Sequence, residues 1–60
     1  MITHTFIAGD YKAEVFDNNM VKVYFQDILI DNPGPWGDHN GAKQWAELIV
    51  NKYSVDGHPK

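Results

Sequence analysis

The sequence predicts an α+β domain: a three-stranded antiparallel meander, with a possible short fourth strand, that packs one sheet face against a single C-terminal α-helix. Three observations predict this class. Apolar and polar side chains alternate through the first half of the chain, apolar residues recur at helical spacing near its end, and short turn signals separate the segments. A length of 60 residues corresponds to one domain.

Three segments have the alternation of strands, and each is followed by turn residues. Residues 2–8, 11–16 and 20–26 are the predicted strands. Glycine and aspartate at 9–10 form the first turn, and Asp-Asn-Asn at 17–19 forms the second, since asparagine tolerates the positive φ of hairpin turns. The short turns predict antiparallel neighbours.

The alternation fails at the end of the third strand. Continuing it would bury Asp27 beside Phe25, and an unpaired buried carboxylate is costly. We therefore predict a bulge, bend or tight turn at Gln26 and Asp27. Residues 28–30 are then either a short extra strand or the tail of the third.

A loop and a helix complete the predicted domain. Prolines and glycines at 31–40 exclude regular structure there. Asp38 or Asn40 can cap the helix that follows, and that helix is predicted to end at Tyr53. The domain spans residues 1–53, and residues 54–60 form a tail. The helix stripe is Ala42, Trp45, Ala46, Ile49 and Tyr53. The predicted core places the first four of these against Phe6, Tyr11, Ala13, Val15, Val21, Val23 and Phe25.

Composition argues against several classes of function. Eight acidic residues and five lysines give a net charge of −3, and the chain has no arginine, the residue best suited to bidentate phosphate and base contacts. Nucleic acid is therefore a poor candidate partner. The absence of cysteine excludes disulfides and thiolate zinc sites. We find neither a signal peptide nor a membrane span.

No motif of an enzyme or a cofactor site is present. His4, His39 and His58 fall in separate segments and are predicted to lie far apart, whereas a metal site needs convergent ligands. We predict no catalytic residue, no metal ligand and no cofactor. A small metal-binding protein or hydrolase is kept as the last alternative.

One predicted sheet face has no helix to cover it. Phe16, Met20 and Tyr24 lie on that face, and Ile7 has matching exposure. Trp36 follows a proline-rich loop, and its indole either covers the end of the core or anchors a partner. The predicted partner-binding residues are these five, because an open apolar patch marks an interaction site.

Two resemblances add expectations. The segment 20–53 contains Val-Lys-Val-Tyr, Asp-Asn-Pro-Gly-Pro-Trp and Gly-Ala-Lys-Gln-Trp-Ala, and it resembles short uncharacterised proteins encoded by tailed phages of marine cyanobacteria. That resemblance implies a phage setting, in the cytoplasm of an infected host or in the virion.

The predicted strands, followed by Ala42-x-x-Trp45-Ala46 on a helix, are also similar to the three-stranded DNA-binding domains at the N-termini of tyrosine recombinases. Those domains present a basic sheet to DNA. Here Lys12 and Lys22 are accompanied by Glu14, so the likeness bears on the fold and not on the function.

These observations predict a non-enzymatic protein–protein interaction module, a phage accessory or virion-associated protein. Its partner is a host or virion protein, or a second copy in a homodimer, which would bury the open face. The alternative is a nucleic-acid-binding module with Phe16, Tyr24 and Trp36 as stacking platforms.

Overall fold

The computed structural model describes residues 1–59, and in them four strands precede one helix. All strands pair antiparallel with their neighbours along the chain, and α1 packs across one sheet face. The predicted α+β class is confirmed. The elements are β1 (Ile2–Ala8), β2 (Tyr11–Phe16), β3 (Val21–Phe25), β4 (Ile28–Asp31) and α1 (His39–Asp56).

The fourth strand follows a two-residue hairpin turn. Gln26 and Asp27 have φ values of 50° and 67°, the paired positive angles of a turn that matches strand twist. Phe25 therefore lies opposite Ile28, the first residue of β4. The predicted tight turn is confirmed, and it places the Asp27 carboxylate outside the core.

The core lies between the sheet and α1. Nine side chains are buried there: Tyr11, Ala13, Val15, Val21, Val23, Ala42, Ala46, Ile49 and Val50. Two positions on the helix differ from the prediction. Val50 is buried although the predicted stripe left it out, and Trp45 is only partly buried. Because Ala42 and Ala46 face the sheet, the indole of Trp45 lies at the side of the interface.

The helix begins at its predicted cap and ends later than predicted. The Asp38 carboxylate accepts a hydrogen bond from the backbone N–H of Asn40 at 3.1 Å. The helix runs to Asp56 and ends at Gly57, whose φ of 80° suits glycine and whose N–H donates to the Tyr53 carbonyl at 2.8 Å. Part of the predicted tail is therefore helical.

The loop between β4 and α1 runs beside the β2–β3 turn. The Val21 N–H donates to the Pro33 carbonyl at 3.2 Å, and the Trp36 N–H donates to the Asn19 carbonyl at 3.1 Å. These bonds hold Trp36 against the helix, where its ring centroid lies 5.1 Å from that of Trp45. The backbone of this proline-rich loop is thus tied to the sheet.

Candidate functional site

The sheet face opposite α1 is organised in cross-strand rows, and we call it the open face. One row crosses all four strands in the order Ile7, Lys12, Tyr24 and Leu29. A second row contains Thr5, Glu14 and Lys22, and a third pairs Ile2 with Phe16. Directly opposite side chains in antiparallel strands are close enough to interact.

The centre of the open face combines rings with charged side chains. The Lys12 ammonium lies 5.0 Å from the centroid of the Tyr24 ring, and the Lys22 ammonium lies 5.1 Å from that of Phe16. Lys12 also pairs with Glu14 at 3.9 Å. Each lysine ammonium is thus in cation–π contact with an aromatic ring of the same face. The centre is amphipathic, in contrast to the plain apolar patch that the sequence predicted.

These surroundings shift the pKa of the Tyr24 phenol. Partial burial raises the pKa of its phenol above the ordinary value, and the nearby Glu14 carboxylate raises it further. Both effects disfavour a phenolate on this face. The hydroxyl of Tyr24 is therefore a neutral hydrogen-bonding group at neutral pH.

Exposed aliphatic side chains lie at both edges of the open face. Ile7 on β1 is 72% exposed, Leu29 on β4 is 49% exposed, and Ile2 is 45% exposed. Single exposed aliphatic residues are common on soluble proteins. Three of them lie on one face, on either side of two half-buried rings.

The structure brings together three of the five predicted partner-binding residues. Ile7, Phe16 and Tyr24 share the open face. Met20 lies in the turn before β3 and is half-buried, and a Cβ built on Gly34 would lie 3.2 Å from its sulfur.

Trp36 lies beside Met20, since a Cβ built on Gly34 would be 3.2 Å from both the Met20 sulfur and the Trp36 ring. It does not share the open face with Ile7, Phe16 and Tyr24, because it packs on the helix side of the sheet. Leu29 was missed in the sequence, although the rule for two-residue hairpins predicts its pairing with Tyr24 once the turn at 26–27 is accepted.

A polar cluster joins β1, the β2–β3 turn and the start of α1. Thr3 is the extra residue at a register shift in β1, and its hydroxyl lies 3.0 Å from His39 Nε2 and 3.1 Å from His4 Nδ1. The two imidazole centroids are 5.8 Å apart. The prediction that these histidines lie far apart is wrong, because α1 begins over the edge strand that carries His4.

The tautomer of His39 follows from its hydrogen bonds. Asn19 donates from Nδ2 to the Trp36 carbonyl at 3.0 Å, so its Oδ1 faces His39 Nδ1, 2.9 Å away. An amide oxygen can only accept, and Nδ1 is therefore the protonated nitrogen. The neutral ring then carries its lone pair on Nε2, directed at Thr3.

The third histidine closes the opposite end of the core. His58 Nδ1 lies 2.7 Å from the Tyr11 hydroxyl, and the His58 ring packs 4.9 Å from that of Phe25. A cavity of about 210 Å³ beside it is also lined by Asp31 and Tyr53. Burial raises the pKa of Tyr53, and the Asp31 carboxylate and Tyr11 raise it further.

The fold and the open face define a small α+β domain with one sheet surface free of its own helix. No family model, no curated protein and no solved structure matches the chain in comparisons with known proteins. Within residues 1–59, the structure contains no helix with the length and hydropathy needed to span a membrane.

Proposed function

We propose that this domain is a non-enzymatic protein–protein interaction module and that its open face binds a second copy of the chain. The observation that supports this most is the set of exposed aliphatic residues, Ile2, Ile7 and Leu29, on the face that α1 leaves uncovered. Burying them removes apolar surface from water, which is worth about 25 cal/mol per Å².

The charges of the open face favour a second copy over a strongly charged partner. Lys12, Lys22 and Glu14 place both signs near its centre. In a two-fold, face-to-face arrangement, Glu14 of one copy can meet a lysine of the other, so that the same patch satisfies itself. Such a charge pattern sets the relative orientation of the two copies more than it raises their affinity for each other.

Chain length adds a reason for association. A 60-residue domain buries only about 60% of the surface of its unfolded chain, and this one has no disulfide. A second sheet packed on the open face would extend its small core. The phage accessory or virion role, and a host or virion protein as partner, rest on the sequence resemblance alone and stay predictions.

Sedimentation equilibrium of the purified chain over a wide concentration range tests the proposal. We expect wild type to dimerise and Ile7→Lys or Leu29→Lys to shift the equilibrium strongly towards monomer. Both side chains are exposed in the single domain, so neither change should unfold it.

The matched control is Leu48→Lys, which places the same charge on the exposed surface of α1 at a leucine that is 65% exposed. It should dimerise like wild type. A wild-type monomer at the highest concentration contradicts the homodimer, and equal effects of Leu48→Lys and Leu29→Lys contradict the choice of face.

A nucleic-acid-binding role is the main alternative. The sequence predicts three aromatic rings on which bases would stack. Trp36 packs on Trp45, and lysine ammonium groups lie over the rings of Phe16 and Tyr24, so none of the three rings is an open platform. Fluorescence titration with single- and double-stranded oligonucleotides separates the two roles. Salt-sensitive binding that is lost in Lys12→Gln would favour nucleic acid over a protein partner.

One observation favours the hydrolase alternative. The Thr3 hydroxyl lies 3.0 Å from His39 Nε2, and the Asn19 side-chain oxygen lies 2.9 Å from His39 Nδ1. A nucleophilic hydroxyl, an imidazole base and a group that orients the base have this order in hydrolases. However, the Thr3 hydroxyl also lies 3.2 Å from the Val15 carbonyl, which competes for its single proton. Hydrolysis of an activated ester that His39→Gln abolishes in a folded protein would favour this alternative.

A further inference from the structure

We propose that His4 and His39, with the hydroxyl of Thr3, form a binding site for a divalent late-transition-metal ion such as Zn²⁺. The proposal is independent of the proposed function, because the site lies on the helix side of β1 and shares no residue with the rows of the open face. Imidazole nitrogen is a preferred ligand of zinc, nickel and copper.

Two imidazole nitrogens converge on one point. His39 Nε2 and His4 Nδ1 lie 3.0 and 3.1 Å from the same oxygen of Thr3. The ring centroids are 5.8 Å apart. Two imidazoles that share one metal ion, at bond lengths of about 2.0 Å, have centroids roughly 5 to 6 Å apart. An ion can therefore be held between the nitrogens with small movements of both rings.

The surrounding residues orient the site. The β-bulge at Thr3 brings the hydroxyl between the two rings, and bulges often redirect a side chain in this way. The Asn19 Oδ1 accepts a hydrogen bond from the Nδ1–H of His39, so the lone pair of the neutral ring is on Nε2, the nitrogen that faces the site. A metal-bound histidine usually donates its other N–H to an oxygen in this manner.

The number of ligands sets the expected affinity. The described residues 1–59 contain no group of three or more His, Asp or Glu side chains arranged for a metal ion. Two nitrogens, one hydroxyl and water give fewer protein ligands than a structural zinc site has. The start of α1 at His39 also disfavours a nearby cation. We therefore expect micromolar binding and no response to Mg²⁺ or Ca²⁺, which prefer oxygen.

A zinc chloride titration of the full chain, followed by isothermal calorimetry and by NMR of the imidazole groups, tests the site. We expect one micromolar site, with the resonances of His4 and His39 shifting together and that of His58 unchanged. His4→Gln should weaken binding by about tenfold or more, since one of two nitrogen ligands is lost. His58→Gln is the matched control and should bind like wild type.

Thermal unfolding gives a second measurement on the same proteins. Zinc that binds the folded state raises the melting temperature, and we expect this rise in wild type and in His58→Gln but not in His4→Gln. An absence of zinc binding, or His4→Gln binding as tightly as wild type, overturns the proposal. Zinc-induced shifts at His4 and at the Met1 amine, without His39, would assign the ion to the N-terminus, where the amine now contacts Asp17 at 3.2 Å.

Discussion

The two faces of the sheet are covered in different ways. On the inner face, Val15, Val21 and Val23 are fully buried beneath α1. On the open face, the neighbouring positions include lysines whose ammonium groups lie over aromatic rings. A face with a helix can use small aliphatic side chains, whereas a face without one partly covers itself with long amphipathic side chains.

The two faces also differ in the property that a substitution should change. The inner face contains no exposed side chain on β2 or β3, so substitutions there act on folding. The open face leaves aliphatic surface uncovered only on the edge strands, at Ile7 and Leu29 among others. Substitutions at the edges should therefore act on association and leave the fold intact.

Placing the same charge on each face should give the largest contrast. We expect Val23→Asp to unfold the domain, because burying an unpaired carboxylate costs several kcal/mol and rivals the total stability of a chain of this size. Ile7→Asp should keep a folded circular dichroism spectrum, since residue 7 is exposed. If both variants stay folded, the distinction between the faces is wrong.

Trp45→Ala should have the next largest effect. The indole packs at the side of the core and on Trp36, and truncating it should cost about 3 kcal/mol. That corresponds to a fall in melting temperature of roughly 10 °C or more for a small domain. Thermal unfolding measures it, and a change of only a few degrees would show that the helix is held without this ring.

Tyr11→Phe should have a smaller effect at the far end of the inner face. It removes the hydroxyl that lies 2.7 Å from His58 Nδ1, and a hydrogen bond of this kind contributes about 1 kcal/mol. Urea unfolding of Tyr11→Phe, His58→Ala and the double variant gives the coupling between the two residues. Additive effects would mean that His58 does not stabilise the core through this bond.

The smallest expected effect is a pH dependence from two tyrosines, Tyr24 on the open face and Tyr53 on α1. The pKa of Tyr24 is raised by burial and then by Glu14, and the pKa of Tyr53 is raised by burial and then by Asp31 and Tyr11. The unfolded chain therefore loses these protons first, and stability should fall as the pH rises above about 10.

Ultraviolet absorbance of the tyrosines follows this titration. Glu14→Gln removes the negative charge beside Tyr24 and should lower the pKa of that phenol towards its ordinary value. Tyr24→Phe identifies which part of the absorbance change belongs to this residue. A titration that Glu14→Gln leaves unchanged would mean that the carboxylate does not act on Tyr24.

The turn after β3 was predictable from the sequence, and the register of β4 was not. The turn at Gln26 and Asp27 was predictable, because strict alternation would have buried a carboxylate. The pairing of Leu29 with Tyr24 was not predicted, since a bulge and a two-residue turn differ by one residue and place β4 in different registers.

The helix stripe was predictable except at two positions, Trp45 and Val50. The spacing allows Trp45, and residue 50 is adjacent to the stripe at Ala46 and Ile49. Which of the two lies against the sheet depends on how the helix is rotated over β2, a property of the packed pair.

The sequence by itself determined the first three strands, the capped helix and the inner face, because local alternation, turn residues and the cost of burying charge act over a few positions. Only the tertiary structure decided what meets across long separations: His4 with His39, Tyr11 with His58, and Trp36 with Trp45. Those contacts depend on where the helix lies over the sheet, and the helix position is set by the packing of the whole core.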